Sequence, residues 1–112
     1  MTKEYVKFGI EWRKRLMGLS KESLEGLFKV EPTLHPTKEK LINAIRTKLI
    51  VADFNEHHPV GSTVYWRPMA VESSEYRKMT VQSNAYDHHG MPVCFFKEKS
   101  GFCSVEPQFL EG

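Results

Sequence analysis

The stretch Asn55-Glu56-His57-His58-Pro59-Val60-Gly61-Ser62-Thr63-Val64-Tyr65-Trp66-Arg67 divides the chain into two kinds of pattern. Before it, apolar residues recur every three or four positions, the period of a helix buried on one face. Asn55 to Pro59 is polar. From Gly61 to Arg67 the period becomes two, the alternation of a half-buried strand. A boundary therefore falls at Asn55 to Pro59, with a helical part over residues 1–56 and a β part over residues 59–112.

Downstream, Lys78 to Tyr86 alternates Met79, Val81, Ser83 and Ala85 against polar or aromatic neighbours. Asp87-His88-His89-Gly90 reads as a turn, and Met91 to Lys97 is strongly apolar. Glu98-Lys99-Ser100-Gly101 is a tight turn with glycine where a positive φ is needed, and Phe102 to Val105 pairs back as a fourth strand. Pro107 to Leu110 forms a single turn or a short closing strand. Five short strands, with one long loop at Pro68 to Arg77, suit a small, strongly bent barrel. Its expected interior is Val64, Val81, Val93, Phe95 and Phe102.

Upstream, Tyr5, Phe8, Trp12 and Leu16 lie on one face of a helix expected over residues 3–17, broadened by Val6, Ile10 and Met17. Lys3, Lys7 and Lys14 fall on the opposite side, beside Glu4, Glu11 and Arg15. The apolar arc spans roughly 200° at about 100° per residue, enough to pack on the β part or on a second copy as a homodimer. Gly18 ends this helix, and Ser20 caps a short second one carrying Leu24, Leu27 and Phe28, which ends near Lys29. Pro32 and Pro36 exclude a helix interior. Thr37 caps a third helix from Lys38 to about Asp53, striped by Leu41, Ile42, Ile45, Leu49 and Ala52. The expected fold is α+β: a three-helix N-terminal part followed by a five-stranded barrel.

Composition narrows function without naming it. The 112 residues suffice for one ordinary core or two small ones that lean on each other. Residues 1–56 hold 11 Lys/Arg against 8 Asp/Glu, and residues 57–112 hold 5 against 6, far from a strongly basic stripe. With no long apolar run and no apolar leader after Met1, the expectation is a cytoplasmic protein without membrane contact. Two cysteines, Cys94 and Cys103, are too few for a disulfide framework and are expected as buried free thiols. The pairs His57-His58 and His88-His89 lack ligand spacing, so no metal or other cofactor is expected. None of the GxSxG, HExxH or glycine-rich phosphate patterns is present, and the expectation is a protein without catalysis.

The second half, residues 59–111, resembles SH3-like small barrels of the KOW and Tudor-like kinds. The resemblance rests on layout: Gly61 before the first strand, the long loop after Arg67, the hairpin at Ser100-Gly101 and the turn Val105-Glu106-Pro107-Gln108-Phe109-Leu110. It implies a binding module that presents aromatic and basic side chains from the first loop and nearby strand ends, here Tyr65, Arg67, Tyr76, Arg77 and Tyr86. Tyr65 and Tyr86 also fit plain barrel packing.

Residues 19–50 are similar to the helix-extended-helix of SAP-type DNA-binding modules, through Thr37-Lys38-Glu39-Lys40-Leu41-Ile42 at the opening of the last helix. Three features depart from that pattern: the connection is longer, Pro36 replaces the usual glycine, and no arginine-rich tail follows. The resemblance implies a phosphate held at the helix N-terminus by Thr37, Lys38 and Lys40, with Lys21 and His35 assisting.

Two functions follow as expectations. The first is a nucleic-acid-binding accessory or regulatory factor working mainly through phosphate contacts. The second is a protein-binding regulator or inhibitor of a larger enzyme, of the kind encoded by phages and mobile elements.

Overall fold

A computed structural model describes residues 10–28 and 37–111. The described residues form an α+β fold of three helices, α1 (Ile10–Met17), α2 (Lys21–Phe28) and α3 (Lys38–His57), and five strands in two small antiparallel sheets. Residues 3–9 of the expected first helix, including Tyr5, Val6 and Phe8, lie outside the described residues, as do His35, Pro36 and the rest of the connection between α2 and α3. The face proposed for a homodimer rests largely on them.

Capping sets the helix starts. The Ser20 hydroxyl accepts from the Ser23 N–H at 3.1 Å, and the Thr37 hydroxyl accepts from the Lys40 N–H at 3.2 Å, so each satisfies an N–H that has no partner inside its own helix. Leu16, Leu24, Leu41, Ile42 and Ile45 form a buried helical cluster, with Phe28 and Leu49 packed partly against it. Two predicted members of the apolar faces, Leu27 and Ala52, are exposed.

The third helix runs four residues beyond its expected end at Asp53 and links the two halves. Phe54, near its C-terminus, is buried among Val64, Trp66, Met79, Val81, Cys94, Phe96, Cys103 and Val105. The polar boundary residue Asn55 therefore belongs to the helix: its amide donates to the Ala85 carbonyl at 3.1 Å and accepts from the Ala85 N–H at 2.7 Å. Thr47, also buried, shares its hydroxyl hydrogen between the carbonyls of Gly90 (2.9 Å) and Asn43 (3.1 Å). Farther along the chain, Arg46 reaches Glu106 at 2.6 Å. One helix thus packs at its start on the helical cluster and at its end on the β cluster.

Strands β1 (Thr63–Trp66) and β2 (Arg77–Thr80) make one sheet; β3 (Tyr86–His88), β4 (Met91–Phe95) and β5 (Phe102–Ser104) make the other, in that order. The expected closed five-stranded barrel is not formed. Among the described residues, only two single bridges, Trp66 to Leu110 and Val81 to Phe96, extend the pairing. The physical reason lies at residues 82–85, expected as the middle of one strand. There the Ser83 hydroxyl accepts the Phe95 N–H at 3.1 Å and Asn55 holds both polar groups of Ala85, so side chains replace ladder partners and the strand breaks in two.

The β3–β4 turn places His89 at φ 51° and Gly90 at φ 87°, the doubly left-handed geometry that matches sheet twist in a two-residue hairpin. The Asp87 carboxylate accepts from the Gly90 N–H at 2.7 Å. A 3₁₀ turn at Pro107–Phe109 then returns the chain to β1, where the Arg67 N–H donates to Phe109 and the Glu111 N–H to Tyr65.

The predicted interior holds for Val64, Val81 and Val93, which are buried, and fails for Phe95, half-buried, and Phe102, 45% exposed. Phe96, with no exposed surface, takes the core position instead, beside Cys94 and Cys103. Both faces of β4 are apolar, so alternation alone does not say which face points inward.

Candidate functional site

Three groups of side chains were singled out from the sequence, and the structure treats them differently. In the first group, at the opening of α3, Thr37 spends its hydroxyl on capping and Lys38 donates its ammonium to the Met17 carbonyl, tying the end of α1 to the start of α3. Arg13 bonds Glu39 at 3.0 Å and Asn43 at 2.6 Å over the same turn. A cation on an exposed helix C-terminal carbonyl is well placed electrostatically. Lys38 thus has a structural partner, while Lys40 is exposed and Lys21, at the first residue of α2, is half-buried.

The second group lies around the long loop after β1. Arg67 donates from Nε to the Gln108 carbonyl at 3.0 Å and from Nη1 to the Val71 carbonyl at 2.9 Å. Its guanidinium lies 4.9 Å from the Tyr76 ring centre, a cation–π arrangement that brings these two predicted residues together. Tyr65 and Arg77 are both exposed, Tyr65 opposite Lys78 and Arg77 opposite Trp66 across the β1–β2 ladder.

Tyr86 belongs elsewhere. It stacks on Phe95 with ring centres 6.3 Å apart and 25° between planes, and meets His88 edge-on at 6.3 Å. His88 in turn lies 4.4 Å from the Phe102 ring centre and 4.6 Å from His89. The register explains this group: Tyr86 faces Val93, His88 faces Met91 and Phe95 faces Phe102, so all six occupy one face of β3–β4–β5. Cys94 and Cys103 oppose each other on the other face, toward the core. Sequence reasoning finds Tyr86 alone, since alternation points Phe95 and Phe102 to the interior and reads His88 as part of a turn.

Burial, and secondarily Cys103, pushes the Cys94 thiol up to about 12, and burial also raises that of Cys103. Both are free thiols. On the outer surface, the Glu98 carboxylate accepts from the Thr80 N–H and the Thr80 hydroxyl, each at 2.7 Å, and these bonds hold its carboxyl below the usual carboxylate range.

Among the described residues, no three His, Cys, Asp or Glu side chains gather as a metal site, and no helix is long and apolar enough to cross a membrane. His57 instead bonds the Asp53 carbonyl, and the His58 ring lies 4.9 Å from the Phe54 ring centre, tilted by 45°. Compared with known proteins, the chain matches no family model, no curated protein and no solved structure.

Proposed function

We propose that this chain is a nucleic-acid-binding accessory or regulatory factor of the cytoplasm, without catalysis, that acts mainly through phosphate contacts and uses an SH3-like β half as its scaffold. The observation that carries the reading is the pair of exposed cations Lys78 and Lys97, which the register places on one face where the two sheets meet, with Arg77 and Lys99 exposed beside them in sequence. Glu98 is the one carboxylate within these two short segments, and both its oxygens are engaged by Thr80. Such a cluster neutralises phosphates without reading bases. The layout supports the scaffold: β1, a long loop, β2, the β3–β4–β5 meander, a 3₁₀ turn and a return to β1 follow one another, the sequence of features on which the resemblance rests. Lys21 and Lys40, each in the first turn of its own helix, add two further cations.

The test is binding of generic duplex and single strands across a salt series. Affinity falling steeply with salt, at about 0.7 to 0.9 units of logarithmic slope per neutralised phosphate, supports the reading. Lys78→Gln with Lys97→Gln flattens that slope by one to two such units, and Lys40→Gln by at most one. Undetectable binding at low salt overturns it.

One observation favours protein binding as the second reading: the loop after β1 exposes Met69 and Val71 beside the ordered Arg67–Tyr76 pair. An apolar contact of that kind would hardly respond to salt.

A further inference from the structure

The outer face of β3–β4–β5 carries Tyr86, His88, Phe95 and Phe102, with Val93 buried beneath and Met91 at its edge. Apart from covering Val93, these rings take no part in the β core cluster, to which the opposite face supplies Cys94, Phe96, Cys103 and Val105. Tyr86 is 37% and Phe102 45% exposed, and the four rings touch in sequence from Phe95 through Tyr86 and His88 to Phe102.

The face continues into the cations. Gln82 donates its N–H to Phe95 at 2.8 Å and Lys97 donates its N–H to Thr80 at 3.0 Å, on either side of the Val81–Phe96 bridge. Across these strands Gln82 therefore faces Phe95 and Thr80 faces Lys97. Phe95 and Lys97, two residues apart, share one side of the strand, as do Lys78 and Thr80, and Lys78 faces Tyr65. Rings and ammonium groups so alternate along one continuous outer surface. No ion pair engages Lys78 or Lys97 among the described residues, while Lys99 holds its ammonium 5.9 Å from the ring centre of Trp66, on the core side of β1.

We infer that this surface binds single-stranded nucleic acid, its bases stacking on Phe102, His88, Tyr86 and Phe95 while its phosphates lie along Lys97 and Lys78. The inference rests on the nucleic-acid reading above and adds strand class and site. Charge complementarity selects this occupant: protein-binding patches are rich in aromatic residues but depleted in lysine, whereas a stacking platform beside a cationic track is what an unpaired strand meets. The bases of a duplex are stacked on one another and offer no free ring face, so the platform discriminates between the two forms.

The experiment measures fluorescence anisotropy of labelled oligo(dT), oligo(U) and a duplex of about 16 nucleotides, with the full chain and its variants at low salt. Single strands are expected to bind more tightly than duplex. Phe102→Ala, at an exposed position, is expected to weaken single-strand binding about tenfold with melting unchanged, and His88→Ala to do likewise. Phe102→Trp, which keeps a ring face, is expected to retain the affinity. If both alanine variants bind single strands as the parent does, the platform is overturned while phosphate binding stands. If duplex binds and single strands do not, the inference falls and the broader reading survives. If neither binds, both fall, and a protein partner becomes the leading reading.

Discussion

The two faces of the β3–β4–β5 sheet are almost equally apolar in composition and opposite in fate. The inner face presents Cys94, Cys103 and the neighbouring Phe96 and Val105, none more than 3% exposed. The outer face presents Tyr86, Phe95, His88 and Phe102, of which only parts are covered. Small and aliphatic groups, closed off by Phe96 and by Phe54 from α3, pack to the density of an interior. The outer rings contact one another and leave their other surfaces in water. Apolarity thus tells that a strand has a face to bury, while side-chain type and the element lying opposite decide whether the protein buries it itself.

The comparison is broken most sharply by truncating one phenylalanine from each side of the sheet. Phe96→Ala is expected to cost about 3 to 5 kcal/mol, a large share of the stability of a domain this size, whereas Phe102→Ala is expected to stay within about 1 kcal/mol. Urea unfolding of both variants checks this. Equal losses would mean that the two faces are not inner and outer at all.

That contrast also marks how far the sequence was legible. Periodicity located the three helices and the strands β1, β2, β4 and β5, because each has an apolar repeat bounded by glycine, proline or a capping side chain, and Ser20 and Thr37 cap as expected; β3 fell at the end of one expected strand and in an expected turn. It failed at Phe95 against Phe96, where five consecutive apolar residues from Pro92 to Phe96 leave the register undetermined. It failed again at Asn55 and Ser83, whose polar side chains read as boundary and strand but stand in for backbone partners from 30 and 12 residues away. Long-range bonds of that kind carry no local signal. The candidate site suffered for the same reason: Lys38 has the residue type and position of a phosphate ligand, and only the fold shows its ammonium on the Met17 carbonyl.

The second test asks whether the inner face is as dry as its cysteines imply. The Cys94 thiol, pushed up to about 12 by burial, favours its neutral form in the folded state. A raised value stabilises the fold fully below the unfolded thiol's range near 8.5 and loses that contribution as pH climbs toward 12. Melting temperature is therefore expected to decline across that alkaline window, and less so in Cys94→Ala after allowing for its lower baseline. A thiol reagent at pH 8 is expected to label neither cysteine until denaturant is added. Rapid labelling of the native protein would show that the inner face opens to solvent.

The smallest expected effect belongs to the outer surface. The hydroxyl and N–H of Thr80 hold the carboxyl of Glu98 below its usual range, aided by the charge of Lys97. A lowered carboxylate stabilises the fold above the unfolded value and gives that up as pH falls through the folded one, so the contribution is present at neutral pH and lost in acid. Because Glu98 is fully exposed, water and salt screen the interaction, and melting at pH 7 is expected to change little in Thr80→Val. The carboxyl itself reports more directly: in that variant its titration, followed by NMR, is expected to move up toward the ordinary range, but not all the way, since the Thr80 N–H still donates. An unmoved titration would mean that the hydroxyl bond does not persist in solution. Glu98 would then be released beside Lys97 and Lys99, weakening the cationic track on which the outer face depends.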